Sequence, residues 1–92
     1  MGPRNAATQF LLRNNSAKRF EVTLYGSLAA TGKGHMTDQA ILDVLGEQHT
    51  TIVWRPKEFL SFHPNGMKFR SLSDAGECLD EWQQFFAVWI PD

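Results

Sequence analysis

The 92-residue chain holds one cysteine, Cys78, so neither an internal disulfide nor a centre built from several thiolates can form within it. A small domain without a disulfide staple fits a reducing compartment, and the expected location is cytoplasmic. No apolar run exceeds the six residues Phe85–Ile90, far below the roughly 20 that a membrane-spanning helix needs. Met1–Asn5 lacks the basic stretch and apolar segment of a signal peptide, and Ala6 stands where a myristoylation site needs Ser or Thr. A basic excess is also missing. Nine Lys+Arg against ten Asp+Glu give a net charge of −1, which argues against a free-standing nucleic-acid binder. Repeats, linkers and low-complexity tracts are absent. What remains is 42% hydrophobic and 12% aromatic residues, the content of one small globular domain over residues 1–92.

Pro3 followed by Ala6, Ala7, Phe10 and Leu11 predicts a short helix with one apolar face, ended by Asn14-Asn15-Ser16. Phe20, Val22 and Leu24 alternate with polar residues and predict a strand. A glycine-rich loop, Gly26–Gly34, follows it. Thr37 reads as the N-cap of a helix over Asp38–Leu45, with Asp38 at its positive end and Gly46 as its stop. Thr51–Trp54 and Met67–Arg70 predict two further strands, with a turn at His63–Gly66 and a hairpin loop at Ser73–Gly76. The segment 79–90 fits both helical and strand periodicity, and the hairpin loop before it favours strand. These elements make an α+β two-layer sandwich of about four mostly antiparallel strands with two helices on one face.

A strand, a glycine-rich loop and a helix N-terminus in that order present backbone N–H groups to a carboxylate or phosphate. The same glycines also serve a loop that needs only their dihedrals. The phosphate-binding P-loop is excluded. Five residues separate Gly26 from Gly32-Lys33 where that motif has four, and Gly34 stands where Ser or Thr must hold magnesium. His35 and His63 sit in loops, where such histidines usually make a turn hydrogen bond. A metal pair would have only Asp38 as a third ligand. With Asn65 they offer the mixed donors and acceptors that an amino acid requires. Cys78, beside Glu77 and near Asp80, is poorly set as a nucleophile. Lys68 and Arg70 read as a solvated strand face, and Trp54, Trp82 and Trp89 as core or interface.

Tyr25-Gly26-Ser27-Leu28-Ala29-Ala30-Thr31-Gly32-Lys33-Gly34-His35, within Phe20–Asp38, closely resembles the small beta domain of iron–sulfur L-serine dehydratases. So does His63-Pro64-Asn65-Gly66-Met67, and Gly2-Pro3-Arg4 with Ala6-Ala7 resembles its opening helix. The resemblance spans roughly residues 2–80. It implies an L-serine ammonia-lyase, making pyruvate and ammonia, whose iron–sulfur cluster is held by a separate alpha domain. It also implies a fold similar to the allosteric substrate-binding domain of phosphoglycerate dehydrogenase. By motif position, His35, His63 and Asn65 are expected to contact serine. Gly32, Lys33, Gly34, Thr37 and Asp38 are expected to shape the loop around it. The chain departs from the family at Met36, where glycine is common after the histidine, and in the sequence after Trp82. It also lacks the Ser-Ser-Ser-His-Thr stretch that normally precedes Gly-Pro. Those departures predict a fragment; without the alpha domain it is expected to have no cofactor or catalytic residue of its own, and the resemblance implies that it binds serine, as substrate or effector, and partners the alpha domain. The competing expectation is a homodimerising interaction module whose glycine-rich loop is only structural.

Overall fold

The computed structural model describes residues 3–26, 29, 36–58 and 66–85. Helix α1 runs Pro3–Arg13, strand β1 Arg19–Tyr25, helix α2 Thr37–Leu45, strand β2 Thr50–Arg55, strand β3 Gly66–Leu72 and strand β4 Cys78–Phe85. A single 3₁₀ turn, Glu47–His49, leads into β2. The four strands form one mixed sheet in the order β2-β1-β3-β4. The fold is α+β, with two helices and four strands among the described residues, and two of its three strand pairings are antiparallel. The exception is β1 with β2. A helix intervenes between them, and a crossover of that length returns the chain parallel to the strand it left.

Alternation along β1 sorts the molecule into layers. Phe20, Val22 and Leu24 turn to the helices and are buried with Ala6, Ala7 and Phe10 of α1 and Ile41 and Leu45 of α2. Register carries that face across the sheet, because Val22 lies opposite Phe69 and Leu24 opposite Met67, both fully buried. Phe10 is the hub of the core. Its ring lies 5.4 Å from Phe69, 6.2 Å from Phe20 edge-on, and 6.3 Å from Trp82 in a stack. On the opposite face Glu21, Arg70 and Glu81 form one cross-strand row. Arg70 Nε donates to Glu81 at 3.0 Å, and its Nη1 lies 3.7 Å from Glu21. Trp54 and Trp82 are partly buried against the core, whereas Trp89 lies outside the described residues.

The end of α1 is where expected, with the Asn14 N–H donating to Phe10 O at 3.1 Å and Leu11 O at 3.0 Å. Gly46 stops α2 by donating its N–H to Leu42 O at 2.9 Å, at φ 98°, where a Cβ would also stand 3.0 Å from His49 Cδ2. The positive φ favours glycine there, and any Cβ would also make the His49 ring give way. The start of α2 differs from the sequence reading. The helix begins at Thr37 itself, Met36 occupies the cap position, and no side chain caps the first turn. Segment 79–90 resolves as strand through Phe85, with a register shift between Ser71 and Leu72, and 86–90 lie outside the described residues. The hairpin loop between β3 and β4 is closed by Ser73 N–H to Glu77 O at 2.8 Å and Gly76 N–H to Ser73 O at 2.9 Å. Among the described residues no helix is long and apolar enough to cross a membrane.

Candidate functional site

The topology gathers three chain segments at one end of the sheet. β1 leaves the sheet there at Tyr25, and α2, which returns antiparallel to β1, begins there. β3 starts there too, since Met67 pairs with Leu24 and Gly66 follows at the level of Tyr25. Tyr25 is buried, and Gly26, at φ 54°, turns the chain out of β1. His35 directly precedes Met36 in the chain, and Asn65 directly precedes Gly66. Of the residues singled out in the sequence, Thr37 and Asp38 are described. Gly32, Lys33, Gly34, His35, His63 and Asn65 lie outside the described residues.

Thr37 is the unusual member of this set. It is 2% exposed, and its hydroxyl, like that of Thr50, is buried with no hydrogen-bond partner among the described residues. Leaving a buried hydroxyl unpaired costs about 1–3 kcal/mol, which marks a place where a polar group is wanted. Asp38 follows in the first turn of α2, where the helix dipole favours its carboxylate. Met36 holds φ 58°, ψ 34°, the left-handed region that side chains rarely adopt, and is 62% exposed. The departure noted in the sequence thus falls on a backbone that suits glycine. Strain of about 1–2 kcal/mol, less glycine's own backbone entropy of about 0.5–1 kcal/mol, sets the balance. Met36→Gly is expected to stabilise the chain by about 0.5–1 kcal/mol and raise its melting temperature by a few degrees. A calorimetric melt checks it, and a lowered melting temperature contradicts the left-handed assignment.

Other chemistry is placed elsewhere. An open cleft of about 500 Å³ lies at the opposite end of β1, lined by Leu11, Phe20, Leu45 and His49 among others. Cys78 is exposed on β4 and its thiol donates to Asp80 O at 3.4 Å. Among the described residues no group of three or more His, Cys, Asp or Glu is placed to hold a metal ion. A thiolate-held iron–sulfur cluster does not fit a chain whose one cysteine stands alone on a surface strand.

Sequence reasoning missed a polar cluster joining α1 to the sheet. Arg13 grips Asp80 with two hydrogen bonds, Nε to Oδ2 at 2.9 Å and Nη2 to Oδ1 at 2.8 Å. Its guanidinium also lies over the rings of Phe10 and Trp82, at 5.9 Å and 5.8 Å. Asn14 Nδ2 donates to Asp80 Oδ2 at 2.9 Å, and Asn14 Oδ1 accepts from the fully buried Ser71 hydroxyl at 2.8 Å. Arg13 and Asp80 lie 67 residues apart, so no local pattern signals the pair.

Residues 1–52, which run from α1 through α2 into β2, match the family model of the serine dehydratase beta chain. That is more than half of the chain. The chain belongs to the serine dehydratase beta chain family. It is also similar to an L-serine dehydratase of Helicobacter pylori (strain J99 / ATCC 700824), 46% identical over 46 residues. The matched stretch is 46% of this chain and 10% of that relative, so the chain spans only a small part of the relative's length. The beta-chain match contains the sequence between β1 and α2 and the start of α2. It ends before His63–Met67, the second block of the resemblance.

Proposed function

We propose that this chain is the serine-binding part of an L-serine dehydratase and leaves the elimination of ammonia to a partner alpha domain. The observation that carries this reading is the buried, unpartnered Thr37 hydroxyl at the start of α2, inside the family-matched segment. A free hydroxyl and the open N–H groups of a helix's first turn together suit a carboxylate. Asp38 supplies an acceptor suited to an ammonium group, and the amide of Asn65 both donates and accepts. His35 and His63 are proposed as the remaining contacts, with Gly32, Lys33 and Gly34 shaping the loop. In this role the chain holds and orients the amino acid, which lowers the entropic cost of the reaction carried out on the partner. Since its residues do not fit an iron–sulfur cluster, no bond-breaking step is assigned to this chain.

The test is an NMR titration of the labelled chain with L-serine, with D-serine as the control. Shifts centred on Gly32–Asp38 and His63–Gly66 for the L-isomer, lost in Thr37→Val, His35→Ala and His63→Ala, are the expected result. No response to L-serine at several millimolar, or a larger response to ATP or a sugar phosphate, removes this reading.

A further inference from the structure

The Arg19 end of β1 lies about 20 Å along the strand from the candidate serine site. The open cleft at that end measures about 500 Å³, within the roughly 300–1,000 Å³ typical of small-molecule sites. Its apolar surface comes from three elements: Leu11 of α1, Phe20 of β1 and Leu45 of α2. Exposed Lys18, Arg19, His49 and Asp74 stand around that surface. The His49 ring lies against Gly46, whose missing Cβ leaves it room. A second depression of about 370 Å³ shares Arg19, Phe20 and His49 with the cleft. Thr50 lines it, with a hydroxyl that is buried and has no hydrogen-bond partner among the described residues.

The charges here are unspent. Arg4, Arg13, Arg55 and Arg70 each face a carboxylate within 3.7 Å. Among the described residues neither Arg19 nor Lys18 does, and Arg19 makes only a 3.3 Å hydrogen bond to the Asp74 carbonyl. Glu21, at the second depression, is drawn to Arg70 at 3.7 Å. Lys18 and Arg19 against Asp74 leave one net positive charge at the cleft, which a monoanion balances and a doubly charged phosphate does not. A carboxylate also takes charge-assisted hydrogen bonds from a guanidinium and an ammonium, and a further one from an imidazole N–H. An apolar chain attached to it would cover the surface that water now wets. From this we infer that the cleft binds a small carboxylate with an apolar chain, its head at Lys18, Arg19 and His49 and its chain over Leu11, Phe20 and Leu45. The site is separate from that proposed for serine, whose hydroxymethyl group offers nothing to an apolar floor.

An NMR titration of the labelled whole chain with 4-methylpentanoate tests this. The expected result is saturating shifts centred on Ala17–Phe20 and Gln48–Thr50, with a Kd of about 1 mM. Lys18→Gln combined with Arg19→Gln, both exposed, should weaken binding about fivefold or more. Ala17→Phe, which sets a ring at the cleft, should abolish it. Inorganic phosphate offers charge without the chain, and L-leucine offers the same chain with an added ammonium. Tighter binding of L-leucine keeps the carboxylate site and gives Asp74 the ammonium. Phosphate binding as well as 4-methylpentanoate overturns the inference. So does the absence of saturating shifts at tens of millimolar, or binding indifferent to the loss of both cations. Failure here leaves the serine reading standing, because serine is read at the other end of β1, over Gly32–Asp38 and His63–Gly66.

Discussion

Phe10→Ala is expected to cost about 3–5 kcal/mol and leave little of the fold at ambient temperature. A domain of this length has a total stability of roughly 5–14 kcal/mol, so the loss is a large share of the whole. The size follows from what the ring touches. It is fully buried and meets Phe20, Phe69 and Trp82 from three strands. Truncation therefore leaves a cavity that the stiff sheet cannot close. Urea denaturation at neutral pH measures it, and a loss below about 1 kcal/mol means that the core repacks around the site.

The second large effect concerns the cluster at the end of α1. Asn14→Ala removes the acceptor of the fully buried Ser71 hydroxyl and a donor to Asp80 in one step, with an expected loss of about 2 kcal/mol. Asp80 gives the same cluster a signature in acid. Its carboxyl is lowered from 3.8 to about 2, first by the hydrogen bond from Arg13 and then by that from Asn14. A carboxyl more acidic in the folded chain than in the unfolded chain stabilises the fold at pH values above its unfolded value. That contribution is full above about pH 4 and drains away as pH falls towards 2. A shift of this size corresponds to at most about 2.4 kcal/mol, and the half-exposed Arg13 brings the expected figure to about 1 kcal/mol through solvent screening. Thermal melts between pH 5 and pH 2 should show that loss in the parent chain and a flatter profile in Asp80→Asn. Equal slopes in the two would assign the acid limb to other carboxylates.

Much of the architecture was legible because it rests on local patterns. The alternation of Phe20, Val22 and Leu24 specified β1 and its buried face, and Pro3 with Asn14 bounded α1. Gly46 ended α2 as its sequence position implied. The start of α2 was misread because Thr37 is a good cap by residue type, yet the backbone places its hydroxyl inward and puts Met36 at the cap. Only tertiary packing decides between those two uses of one side chain. The parallel pairing of β1 with β2 was not specified beforehand, since it depends on where the crossover lands. Of the expected site, Thr37 and Asp38 begin α2, at the end of the sheet where β1 ends. His35, His63 and Asn65 were expected from the resemblance and lie outside the described residues, while the Arg13–Asp80 pair joins distant parts of the chain and left no trace in any window of sequence.

The placement of β1 between β2 and β3 also sets the order in which the chain can assemble. β3 and β4 are joined by a short loop, so that hairpin closes at small entropic cost and on a microsecond scale. β1 finds its partners 30 residues onward in β2 and 43 to 53 residues onward in β3. Its pairings carry most of the loop-closure cost, so sheet completion waits on β1 meeting an already formed hairpin. The Tyr25 end of β1, where α2 and β3 also begin, is therefore completed only when that strand docks.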